Sequence, residues 1–186
     1  MNNNLIITIG REYGTGGREI GQKLALRLGI PFYDRELITR AAKKTGFDEK
    51  LFEQLDKRAT NSFLYSLTMF GSVGLNGMSL TDQLYLAQSN IIREMAEDSS
   101  CVIVGRCADH VLRDFPNKFD FFIHGSIEDR VKRVQTCGDY VIEGKTPEAA
   151  LEKMDKQRST YYNYYTGKVW GKCDHYDLCI NAGRLG

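Results

Sequence analysis

"GREYGTGGREIG", residues 10–21, follows the apolar run "LIITI" (5–9) and opens into a helical pattern. A strand-to-helix turn built on Gly14, Gly16 and Gly17 lets backbone approach an anion closely. The orphan N–H groups of the following helix then point at it. The usual phosphate-loop pattern is G-x-x-x-x-G-K-[ST], whose lysine meets the terminal phosphates and whose hydroxyl ligates Mg²⁺. In that register Gly16 falls on the second glycine, Gly17 on the lysine and Arg11 on the first glycine. As a pattern the motif fails, so the missing charge must come from elsewhere. Arg18 is the first candidate and Arg11 the second, each offering a bidentate guanidinium. Glu19 has two readings: a neighbour of magnesium, or a complement to the helix dipole worth ~0.5 kcal/mol. The loop itself is either an anion cradle, with Thr15 beside its glycines, or a tight structural turn.

Working outward, "CVIVG" (101–105), "FDFFIHG" (119–125) and "YDLCIN" (176–181) read as strands buried on both faces, and "PFYD" (31–34) as a shorter fifth. Helical spacing joins them. Ile20, Leu24 and Leu28, with Ala25 beside them, form one apolar stripe, and Leu84, Ala87, Ile91 and Met95 another over 80–97. A third helix begins near Ile127. Thr146-Pro147-Glu148 supplies an N-cap and a first-turn proline for a helix to about Tyr165. This alternation predicts a single α/β domain over 1–186 with a central parallel sheet of about five strands. Residues 36–80 fit it less well, and 36–100 is taken as a helical substrate-side insertion. They start as "ELITRAAKKTG" and pass into "SLTMFGSVGLNGMS" (66–79), either a substrate-side helical insertion or a loose loop.

The chain has 186 residues, 25 basic and 24 acidic, for a net charge of +1. That balance gives no support for non-specific binding to nucleic acid or anionic membrane. No apolar stretch approaches the roughly 18 residues of a membrane span, and the N-terminus has no leader pattern. The five cysteines contain no C-x-x-C pair and the three histidines are scattered. Reduced thiols, a cytoplasmic setting and no protein metal site are therefore expected.

Taken together, "ITIGREYGTGGREIGQKLALRLGIPFYDRELI", "VIVGRCADHVL", "RSTYYNYYTGKVWG" and "YDLCINAGRLG" resemble the cytidylate-kinase-like family, P-loop relatives of the nucleoside monophosphate kinases. The resemblance implies a P-loop kinase fold with a substrate-binding insertion and an arginine-bearing lid on helices spanning about 127–165. It also implies ATP with Mg²⁺ as donor. A monophosphate acceptor, CMP or dCMP first, would be bound by a Gly-Arg-Asp stretch. Here that stretch is Gly105-Arg106-Cys107: the arginine stays, the acid is lost, and Asp109 lies two residues on. "IEDRVKRV" puts Arg130 and Arg133 on one face of the helix leading to a lid around "GDYVIEGKTPE" (138–148). "MDKQRS" carries the family's acid and arginine as Asp155 and Arg158. Both pairs can also be read blandly, as solvated helix charges and as an i,i+3 ion pair. Asp34 and Arg35 are substrate contacts or a helix cap. A final helix is expected beyond "YDLCIN". The tyrosines at 161, 162, 164 and 165 are base-stacking, packing or homo-oligomer contacts.

The expected activity is γ-phosphoryl transfer from ATP. Gly14–Gly17 amides, Arg18 and Glu19 serve the donor, and Asp34, Arg35, Arg106, Asp109, Asp155 and Arg158 the acceptor. Arg18, Arg130, Arg133 and Arg158 offset transition-state charge. The alternatives are a kinase of another small metabolite and a nucleotide-binding regulatory module without transfer. Single-strand nucleic-acid binding through the tyrosines lacks a basic groove.

Overall fold

A computed structural model describes residues 3–34, 40, 80–137, 140 and 146–185. Five parallel strands, β1 (Ile6–Arg11), β2 (Phe32–Tyr33), β3 (Cys101–Val104), β4 (Lys118–His124) and β5 (Leu178–Asn181), lie in the order β2-β3-β1-β4-β5. The helices are α1 (Gly17–Leu28), α2 (Leu80–Asp98), α3 (Ala108–Val111), α4 (Ile127–Thr136), α5 (Pro147–Thr166) and the short α6 (Ala182–Leu185). β1 is central because its β-branched run can be covered on both sides. Ile7 and Ile9, with Val102, Val104 and Ile123, pack against Ala25 of α1. On the other face Ile6, Cys101 and Ile103 meet Ile91, Ile92 and Met95 of α2 and Leu112 just past α3. Burial pushes the Cys101 thiol up to about 12, so it behaves as a small apolar group.

Helix ends follow local chemistry. Gly29, at φ 64°, closes α1 in the left-handed region, and the next amide, Ile30 N–H, donates to Ala25 O at 3.1 Å. Ser126 Oγ accepts from Asp129 N–H at 3.1 Å to start α4. Thr146 Oγ1 accepts from Ala149 N–H at 3.2 Å, with Pro147 in the first turn of α5. The α1 stripe differs from the expected one. Leu28 is 44% exposed, while Gly17, Gly21 and Ala25 are buried, with Ile20 and Leu24 flanking them. Gly21 allows the close approach: a β-carbon there would lie 2.9 Å from Val104 Cγ2 and 3.0 Å from Phe32 Cε2.

The expected insertion over 36–100 lies outside the described residues except Arg40 and residues 80–100, and α2 within them belongs to the sheet's own core. Arg35, most of the lid segment and Gly186 also lie outside them. No helix among the described residues is long and apolar enough to cross a membrane.

Candidate active site

Parallel strands leave a crevice at their carboxyl ends where the chain reverses its direction of winding. Here β1 ends in the glycine loop, β2 in Asp34, β3 in Gly105-Arg106-Cys107 and β4 in Gly125. A cavity of about 800 Å³ opens among the first three ends and α5.

The loop is held from outside itself. Glu12 N–H donates to Ile123 O at 2.9 Å, and Gly125 N–H donates to Glu12 Oε2 at 3.0 Å. Tyr13 N–H donates to Asp155 Oδ1 at 2.7 Å, and Thr15 Oγ1 donates to Glu12 O at 2.9 Å. Gly14 and Gly16 then take φ of 84° and 76°, which other L-residues rarely adopt. The Gly16 N–H, first of the amides facing the helix entrance, donates to the Tyr140 hydroxyl at 3.2 Å. A hydroxyl oxygen thus occupies the kind of place an anion oxygen would take. At Gly17 the missing lysine has a steric cause. A β-carbon there would lie 2.7 Å from Arg11 Cβ, so Arg11's stem fills the space a side chain at 17 would need.

The arginines sort differently from the sequence expectation. Arg18, first choice to replace the lysine, is held by Asp34 through a 2.8 Å bond from Nε. Its guanidinium therefore sits between α1 and β2, on the cavity's edge. Arg130, expected to arrive with a lid, is only 9% exposed. It donates from Nη1 to Asp155 Oδ2 at 2.5 Å and to Tyr13 O at 3.3 Å, with Glu12 3.7 Å from Nε. Asp155, expected at the acceptor, has both carboxylate oxygens engaged behind the loop, by Tyr13 N–H and by Arg130. Arg133 is the α4 arginine that covers the loop: a β-carbon on Gly16 would lie 2.6 Å from its Cζ. It pairs with Glu19 and donates from Nε to the Tyr140 hydroxyl at 3.4 Å. That bond to Tyr140, ahead of the Glu19 charge, raises its pKa. Glu19 is lowered by Lys23 first and by Arg133 as well.

Across the cavity, Arg158 donates from Nη1 to Arg11 O at 2.9 Å and lies 5.1 Å above the Tyr13 ring. Burial lowers its pKa. Arg106 and Cys107 have φ of 59° and 55° directly after Gly105 at 79°, three successive left-handed residues. Such strain concentrates at functional turns. Arg11, Arg18, Arg106 and Arg158 all line the same cavity, with Asp34 between them. Asp109 lines it too. It accepts from the Tyr162 hydroxyl at 2.6 Å, and burial raises its carboxyl pKa.

The tyrosine run is mostly spent inside the chain. Tyr161 and Tyr162 are buried, and Tyr165 stacks on Tyr85 with centroids 4.0 Å apart and planes at 8°. Tyr164 is half exposed. Sequence reasoning missed Tyr13, Glu12 and Tyr140, for which no motif exists. It ranked Arg11 second, though arginine in place of the first loop glycine was the visible signal. No group of three or more metal-type side chains gathers among the described residues. Magnesium on phosphates needs only one or two carboxylates, and Glu19 and Asp34 border the cavity beside the loop.

A family model described as the cytidylate kinase-like family matches residues 6–184. The crystal structure of an uncharacterized protein from Eubacterium ventriosum is 32% identical, with a TM-score of 0.65. The match covers 96% of this chain and 88% of that one. Shikimate kinase from Bacteroides thetaiotaomicron matches at 14% identity and TM-score 0.55, covering 96% and 87%. TT1252 from Thermus thermophilus matches at 15% and 0.53, covering 96% and 88%. At those identities the last two share the fold. No curated protein matches the chain.

Proposed function

Since the chain belongs to the cytidylate kinase-like family, we propose that it transfers the γ-phosphoryl group of ATP to a nucleoside monophosphate, with CMP or dCMP first among the acceptors. One observation carries the reading. Five arginines, 11, 18, 106, 133 and 158, line a single cavity beside a glycine loop, and Asp34 stands among them. Clustered guanidinium groups repel one another, and a phosphate entering among them offsets that repulsion through charge-assisted hydrogen bonds.

In this reading the amides of Gly14–Gly17 hold the donor phosphates, and Arg106 and Arg158 hold the acceptor phosphate. Arg133, already over Gly16, neutralises charge on the donor side. Arg18 and Asp34 form the acceptor-side wall. Arg130 and Asp155 position the loop without touching substrate. Glu19, paired with Lys23 and Arg133, and Asp34, paired with Arg18, border the loop and would be the carboxylates to hold magnesium, which when bound would offset phosphate charge. The Pγ–O bond to the β-phosphate breaks with its electron pair leaving on ADP, and an acceptor phosphate oxygen supplies the pair for the new bond. That oxygen is already anionic, so no general base is needed. Positioning and charge stabilisation supply the rate.

A second reading has its own support. Cys107 stands where the family motif carries the acid that recognises the nucleoside, and burial holds its thiol protonated. Asp109 is engaged by Tyr162 instead. A phosphorylated or carboxylated small metabolite could then take the acceptor place. Incubation with Mg-ATP and a panel of CMP, dCMP, UMP, AMP and GMP, alongside phosphorylated and carboxylated non-nucleotide metabolites, separates these. Diphosphate formed from one or two monophosphates supports the first reading. ADP formed only with a non-nucleotide acceptor supports the second. ATP binding with no transfer to any acceptor leaves a regulatory module.

A further inference from the structure

Arg11 ends β1, and its stem packs against Gly17, on the position that carries lysine in the standard loop. Its head group reaches across to the turn after β3, where a β-carbon on Gly105 would collide with Nη1. Glycine at both 17 and 105 is therefore what lets this one side chain run from the donor loop to the acceptor turn. Among the described residues no carboxylate or carbonyl accepts a hydrogen bond from the guanidinium, although the residue is partly buried. Its surroundings make that costly. Burial, then Arg158 from α5, Arg106 after β3 and Arg18 from α1 pull its pKa down to about 9, with Asp34 after β2 opposing them. A partly buried guanidinium with five donors and no acceptor is a site that lacks its anion.

We infer that Arg11 grips the phosphoryl group during transfer, doing from the strand end what the loop lysine does from the helix start. This rests on the phosphotransfer reading above. As the bond from Pγ to the ADP oxygen breaks and the acceptor oxygen bonds to Pγ, two non-bridging oxygens of the moving group face the fork of Arg11. A planar fork holds two such oxygens at once, where an ammonium would meet them as a point charge. One volume is filled either by arginine from position 11 or by lysine from position 17, so the two residues are exchangeable only as a pair.

The test uses the full chain and two probes: inorganic tripolyphosphate binding by calorimetry, and turnover with Mg-ATP and the monophosphate panel. R11M keeps the stem and removes the fork. It is expected to melt like the wild type, to lose at least about tenfold in tripolyphosphate affinity and to lose about 100-fold or more in turnover. G17K alone is expected to lose binding, because the new side chain meets Arg11. R11A/G17K is expected to regain at least about tenfold over R11A, since the vacated space now admits lysine. Wild-type tripolyphosphate affinity in R11M, or R11A/G17K no better than R11A, overturns the assignment. A measurement without any variant guards against misfolding. Tripolyphosphate should protect Arg11 of the wild-type chain from phenylglyoxal, mapped by mass spectrometry, and equal modification with and without it overturns the assignment. If the wild type transfers phosphate to no acceptor, the phosphotransfer reading fails, while the binding and protection results still decide Arg11.

Discussion

Asp155 shows how a single carboxylate organises the loop without facing the cavity. One oxygen takes the Tyr13 amide and the other takes the Arg130 guanidinium, at 2.7 and 2.5 Å. With both side chains largely buried, Asp155→Ala strands a cation and is expected to cost about 3–5 kcal/mol. Asp155→Asn, which still accepts from Tyr13, should cost less. Urea denaturation reads both, and a loss under ~1 kcal/mol for the alanine variant would remove Asp155 from the scaffold. Asp109 makes a different prediction. Its neighbours are Tyr162 on α5 and Asp120 and Lys118 on β4, and burial raises its pKa in the fold. The folded state therefore holds the Asp109 proton more tightly than the unfolded chain does. Ionising it costs stability at neutral pH, and that cost disappears as pH falls through the ordinary carboxylate range. Asp109→Asn should be more stable than the wild type at pH 7 without nucleotide, with the gap closing toward pH 4. A gap that widened with acid would contradict the sign.

Elements were legible where periodicity and capping agree. The buried runs gave all five strands within a few residues, and Thr146-Pro147 marked the start of α5. The α1 face was misread because hydrophobic spacing gives no weight to glycine. Gly21 packs on Val104, Phe32 and Ile9, whereas Leu28 points outward. The two readings predict opposite orders of damage. Gly21→Leu should push α1 off the sheet and cost ~3 kcal/mol or more, while Leu28→Ala should cost under ~1 kcal/mol. Thermal melts of the two variants decide it, and the reverse order would show that α1 packs through its leucines. "YDLCIN" paired two residues later than its apolar start, because the 3₁₀ turn at Cys173–His175 takes up the approach.

For the molecule as a whole, the sequence carries the fold because strand–helix alternation and a glycine turn after β1 leave few topologies open. It carries the site only as a set of positions. Arg106 and the loop glycines can be placed by motif, since they fall at strand ends, and Arg158 by its three-residue spacing from Asp155 on α5. Which acid engages which arginine could not be placed. Arg18 with Asp34, Arg130 with Asp155 and Arg133 with Glu19 are pairings between residues 16, 25 and 114 positions apart. Tertiary packing alone selects among them. The outcome is a division of labour: α5 and Arg130 hold the loop, α4 covers it through Arg133, and Arg11, Arg18, Arg106 and Arg158 line the cavity. A crystal structure with Mg²⁺ and a non-hydrolysable ATP analogue tests that division most directly. The account predicts the β- and γ-phosphates on the amides of Gly14–Gly17, with the Tyr140 hydroxyl displaced from Gly16 N–H. Phosphates bound elsewhere, with that hydroxyl still on Gly16, would contradict it.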